Sequence, residues 1–105
     1  MMTAALYLMF AILLEVAGTT SMRLSNGFTV FGPSVLIFVF YFFSFGFLTL
    51  SLKRLELSTA YAVWSGLGTL LIALIGMVFF NEPMTMIKAF SLALIIVGVV
   101  GLRLG

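Results

Sequence analysis

The chain has 105 residues, of which 64% are hydrophobic and 8% charged, and its mean hydropathy is +1.35. A water-soluble domain of this size needs a charged surface that so few ionisable residues cannot supply, so the composition describes an integral membrane protein. Five Lys and Arg against three acids give a net charge of +2, with no basic cluster longer than Lys53-Arg54, which speaks against a nucleic-acid partner. Cys and His are both absent, so disulfides, thiol catalysis and the usual soft metal sites are excluded and any proton chemistry falls to carboxylates.

At about 20 residues per span, four helices fill the chain with only short turns between them. The expectation is an all-α membrane protein with one four-helix domain over residues 1–105, its spans near 4–22, 33–52, 58–80 and 86–103. The first span ends at Arg23-Leu24-Ser25-Asn26-Gly27, a basic last turn followed by a glycine stop. No positive segment precedes it, and Glu15 interrupts what would be the apolar core of a secretory signal, so this helix is expected to be retained. Glu15 is its only ionisable side chain and falls near mid-bilayer at 1.5 Å per residue. A carboxylate at that depth costs roughly 3 kcal/mol on insertion scales, and it persists where it faces a cavity, a partner or a counter-ion. Glu15 is therefore read as the functional centre. Leu8, Ala11, Ile12, Gly18, Thr19 and Met22 lie on its face at spacings of three, four and seven. The small residues Ala11, Gly18 and Thr19 either leave room for a ligand beside the carboxylate or permit close helix packing, and the spacing leaves both open.

The second span opens at Gly32-Pro33-Ser34, with Pro in a first turn where its missing N–H does no harm. It is dense in Phe, most of which are expected to pack or face lipid, because rings on every side of a helix cannot all line one cavity. Tyr41, Ser44 and Leu48 share a face. Tyr41 and Ser44 are expected to point to a polar interior, since an unpaired hydroxyl in lipid is costly. The loop Lys53-Arg54-Leu55-Glu56-Leu57 leads to Ser58 or Thr59 as the expected N-cap of the third span, with Glu56 a solvated capping charge. That span carries Tyr61, Trp64, Ser65 and Gly68 on neighbouring positions of one face, and its Gly66-Leu67-Gly68 segment marks a candidate hinge. Asn81-Glu82-Pro83-Met84-Thr85 turns into the fourth span, with Glu82 a loop charge outside the bilayer. The fourth span has no polar residue at its centre, but a stripe of Ala93, Val97 and Gly101 with Ser91 and Gly98 beside it suits tight contact with another helix.

One buried acid set among Tyr41, Tyr61 and Trp64 is a negative charge ringed by aromatic faces. Such faces attract organic cations by about 0.5 to 2 kcal/mol each, with Trp the strongest. No nucleophile–base pair or metal set accompanies Glu15, and Glu56 and Glu82 are too distant along the membrane normal to pair with it, so an enzyme is not expected.

With these residues in place the chain resembles the small multidrug resistance (SMR) transporters over essentially its whole length. The resemblance is carried by Ala11 to Thr20 around Glu15, by Ser25-Asn26-Gly27-Phe28-Thr29, and by Pro33-Ser34. Ala60-Tyr61-Ala62-Val63-Trp64-Ser65-Gly66-Leu67-Gly68 and Phe79-Phe80-Asn81-Glu82-Pro83 complete it. It implies an antiparallel, dual-topology homodimer in the bacterial inner membrane, in which both Glu15 carboxylates bind protons or an organic cation and face the two sides alternately. It also implies that Tyr41, Ser44, Tyr61 and Trp64 line the site, that Gly66 and Gly68 flex, and that the fourth span, with Ala93, Val97, Gly98 and Gly101, holds the dimer. No cofactor is implied. One branch of the family exports guanidinium compounds and typically has Trp three positions after the Glu, where this chain has Gly18, so it looks like the branch that exports hydrophobic and quaternary ammonium cations. Guanidinium needs a fixed ring of acceptors, whereas a quaternary ammonium needs volume and aromatic faces. Two positions depart from the family pattern: Arg23 stands where Lys is common and Glu56 where the second loop often has Pro. Export of guanidinium or polyamines, and a membrane subunit that does not transport, are the alternative readings.

Overall fold

A computed structural model describes residues 2–105, and among them the chain forms four helices: α1 (Met2–Leu24), α2 (Phe31–Ser51), α3 (Leu57–Phe79) and α4 (Met86–Leu104). Each is long and apolar enough to cross a membrane. Helices are the form such a chain must take, because in hydrocarbon every backbone polar group has to be bonded within its own segment. The hydroxyls follow the same rule. Thr20, Ser21, Thr49, Ser65 and Thr69 each donate to the carbonyl four residues back, which hides them on helices that face lipid or neighbours.

The connections are short and locally bonded. After α1, Asn26, Gly27 and Phe28 all take positive φ, and the buried Ser25 organises the turn by donating to the Met22 carbonyl while accepting from the Phe28 N–H. Thr85 caps α4 by accepting from the Lys88 N–H at 3.1 Å. The cap expected at Ser58 or Thr59 is different: α3 begins at Leu57, so Glu56 occupies the cap position and makes no side-chain cap bond. Both hydroxyl residues are drawn inside the first turn because the helix starts before them.

α1 lies between α2 and α3, and α4 packs chiefly on α3, so the order across the subunit is α2, α1, α3, α4. The whole measures 42 × 35 × 17 Å, a slab little thicker than the 10–12 Å of one helix with its side chains. Leu8, Ile12 and Val16 of α1 form the buried cluster, packed against Val63, Trp64, Leu67 and Leu71 of α3 among others. α4 has no buried residue. Its hold on α3 comes at Gly66, where a Cβ would fall 2.7 Å from Val99 Cγ2 and 3.3 Å from Ile95 Cγ2. α3 runs unbroken through Gly66 and Gly68, and in this conformation both glycines serve close approach.

Candidate functional site

The α1–α2 interface sets the height of everything around Glu15. Ser44 is fully buried and donates to the Ala11 carbonyl at 2.7 Å, one turn before the acid. Ser44 therefore ties two helices together where the sequence had it lining a polar interior. With that tie made, Tyr41 arrives three residues earlier on α2, beside Gly18 and Thr19. A Cβ at position 18 would come within 2.8 Å of Tyr41 Cε2 and 2.9 Å of Cδ2, so the ring occupies the place of the missing side chain. The room that small residues leave along this face of α1 is taken, at Gly18, by a phenol.

From Glu15 the polar contacts run outward as a chain. Thr19 Oγ1 donates to Glu15 Oε1 at 2.8 Å. A threonine hydroxyl has one proton, so the short contact between Thr19 and Tyr41 has the phenol as its donor. The other carboxylate oxygen rests on α3, where a Cβ at Gly68 would stand 2.8 Å from Glu15 Oε2. The acid is partly buried, held by Thr19 of α1 and by α3 at Gly68.

A file of aromatic rings joins the helices beside it. Tyr41 stacks on Phe45 with centroids 5.8 Å apart, Phe45 meets Trp64 at 5.8 Å, and Trp64 meets Tyr61 at 5.5 Å. Phe45 is the member that sequence reasoning did not single out from the second-span Phe rings, most of which are expected to pack or face lipid. Its position four residues after Tyr41, one turn on the same face, was the available signal. Tyr61 is 56% exposed, and the Trp64 Nε1–H is buried without an acceptor among the described residues. A buried donor left unpaired is uncommon and marks a place where an acceptor is missing.

The other expected residues separate into two groups. Leu8 and Ile12 lie in the packed core against α3, and Ala11 is buried beneath Ser44. Ala93, Val97, Gly98 and Gly101 are exposed along α4, with open space around the two glycines. A wide apolar hollow of about 840 Å³ lies along α2, lined by Phe38 and Phe42 and, from the ring file, by Tyr41 and Phe45.

The profile of the Small Multidrug Resistance protein family matches residues 3–95. The chain belongs to this family. Among its relatives, the multidrug resistance protein EbrB of Bacillus subtilis (strain 168) is 46% identical over 97% of this chain and 87% of its own length. The uncharacterized membrane protein YvaE of the same organism is 54% identical, over 93% of this chain and 82% of its own. A guanidinium exporter of Yersinia pestis is 37% identical over 96% of this chain and 97% of its own. Family and fold together make this an SMR transporter, a multi-pass protein of the bacterial inner membrane.

Proposed function

We propose that this SMR protein is a proton-coupled antiporter that exports hydrophobic and quaternary ammonium cations by alternating access. The observation that carries the reading is Glu15, the one carboxylate inside the four helices, held by Thr19 and Gly68 at the end of the Tyr41–Phe45–Trp64–Tyr61 ring file. An uncompensated carboxylate at this depth is costly, so either a proton or a cation accompanies it, and arrival of one releases the other. The ring faces supply attraction that needs no hydrogen-bond donors on the ligand, which suits a quaternary ammonium. The EbrB relative is named a multidrug resistance protein, which supports export of more than one drug.

Export of guanidinium is the second reading, favoured by the name of the Yersinia relative. Against it stands Gly18, whose site is filled by a Tyr41 ring that offers a face where a fixed ring of acceptors would be needed. We also assign the functional unit to an antiparallel pair of chains. Glu15 is only partly buried, no residue of α4 is buried, and the Trp64 N–H lacks an acceptor among the described residues, each of which a second inverted copy would complete. Gly66 and Gly68 are assigned as the flexing segment, since glycine permits the local bend that exchange between the two faces requires.

Glu15→Gln tests the central assignment, because the amide keeps the shape and removes the exchangeable proton. In proteoliposomes the variant is expected to insert and fold but to lose transport of a tetraalkyl or aryl ammonium driven by a pH difference. Uphill accumulation by Glu15→Gln would place the coupling group elsewhere. Comparison of currents for guanidinium with those for the ammonium compounds separates the two substrate readings.

A further inference from the structure

A second hollow touches the Glu15 chain from the other direction. About 190 Å³ in volume, it lies between α1 and α3, with Thr19, Thr20 and Ile72 along its walls and Arg23, Phe80 and Glu82 at its outer end. Thr19 is the residue that donates to Glu15, so the hollow reaches within one hydrogen bond of the acid and runs from there towards the end of α1 at Arg23. Its size decides what it can hold. A drug-sized ligand needs roughly 300 Å³ or more, whereas a water molecule's share is about 30 Å³, so the hollow takes a few waters and no drug-sized cation. The Thr20 hydroxyl donates to the Val16 carbonyl at 2.8 Å, which leaves its oxygen free to accept from such a water.

The outer end is closed by three side chains from different elements. Arg23 Nη1 stands 3.7 Å from Glu82 Oε2, and the Arg23 guanidinium carbon lies 5.0 Å above the centre of the Phe80 ring. Glu82 is held inward: its N–H donates to the Gly76 carbonyl at 3.0 Å, and its carboxylate presses on Gly76, where a side chain would collide. Lys88, the other nearby cation, turns its ammonium to the Pro83 carbonyl at 2.9 Å. Among the described residues Arg23 is therefore the one ion-pair partner of Glu82. Both partners are about half exposed, and pairs of that kind contribute little to stability, so the closure separates readily.

We infer that this hollow is a water-filled proton route to Glu15 and that Arg23, Glu82 and Phe80 form the latch at its mouth. The inference rests on Glu15 as the proton-exchanging group. Proton passage along the route forms and breaks only O–H bonds, from a hydronium at the mouth through the waters to the carboxylate, and the organic cation takes another path.

Two measurements test it. The chain has no native cysteine, so Thr20→Cys places a single thiol in the route. In detergent-purified protein its reaction with a small charged methanethiosulfonate is expected to run several-fold faster when Glu82→Gln or Arg23→Gln opens the latch. The rate should return towards that of Thr20→Cys alone in the charge swap Arg23→Glu with Glu82→Arg, which keeps a pair and provides a folded comparison if a single variant inserts poorly. In proteoliposomes without substrate, Glu82→Gln should dissipate a pH difference several-fold faster than the unaltered protein, with its affinity for a tetraphenyl cation unchanged. Equal labelling rates in all backgrounds would overturn the latch, and faster labelling with no added proton leak would overturn the proton route. Labelling needs no transport, so a failure of the Glu15 assignment, read from Glu15→Gln, remains distinguishable from either result.

Discussion

Gly18→Ala probes the closest contact in the site, and its effect depends on one neighbouring ring. The added methyl would sit 2.8 and 2.9 Å from two Tyr41 ring carbons, nearer than carbon atoms pack, so the ring must shift. Alanine favours the helix by about 1 kcal/mol over glycine, while forced overpacking costs about 1 to 3 kcal/mol. Loss of the Tyr41–Thr19 hydrogen bond adds about 1 kcal/mol, leaving a net destabilisation on the order of 1 to 3 kcal/mol. A displaced Tyr41 face also forfeits about 0.5 to 2 kcal/mol of attraction for a bound cation, or roughly two- to thirtyfold in affinity. Trp64 is the only tryptophan, so its fluorescence reports titration with an aromatic cation directly, and thermal unfolding in detergent reports stability. The decisive comparison is the same substitution in a Tyr41→Ala background. With the ring gone, Gly18→Ala should be neutral or slightly stabilising, a coupling on the order of 1 to 3 kcal/mol between the two positions. Equal cost with and without the ring would refute the assignment of that space to Tyr41.

Three further outcomes are expected. Trp64→Ala should weaken binding of a planar aromatic cation by about 1 to 2 kcal/mol, or roughly ten- to thirtyfold, and a small ammonium far less; equal losses, read by calorimetric titration, would assign Trp64 to the fold alone. Ser44→Ala should lower thermal stability by about 1 kcal/mol, by loss of its bond to the Ala11 carbonyl, and leave cation affinity within about twofold; a large affinity loss in equilibrium binding would return Ser44 to the ligand. Thr29→Cys and Met84→Cys, both at exposed loop positions, should each react with an impermeant thiol reagent from both faces of the cell membrane if the chain inserts in two orientations; reaction from one face in actively transporting cells would exclude that arrangement.

The number of helices could be read directly from the sequence, and Glu15 stood out there because a lone carboxylate in a long apolar run has few physical interpretations. The direction each helix faces could not. In a bilayer the lipid is as apolar as the packed interior, so periodicity separates ring from ring poorly, and Phe45 reads like Phe42 although only Phe45 bridges Tyr41 and Trp64. Gly18 shows a related limit, since a small residue records that something comes close without recording what. Ser44 shows another: its hydroxyl needed a partner, and a backbone carbonyl on α1 meets that need as well as a ligand would. The Arg23–Glu82 contact joins residues 59 positions apart, and no local pattern in either segment announces it.

The way α4 is attached has a mechanical consequence. The helix is 19 residues long, about 28 Å, and Ile95, which meets Gly66, lies at its midpoint with Val99 one turn further on. α4 therefore meets α3 most closely near its own centre, and that contact sits two residues from Gly68, on which the Glu15 carboxylate rests. A tilt of about 10° in this part of α3 would carry the two ends of α4 about 2 Å in opposite directions. If Glu15 has the role proposed above, such a tilt would carry a change at the acid to both membrane surfaces at once, with the mid-bilayer almost motionless between them.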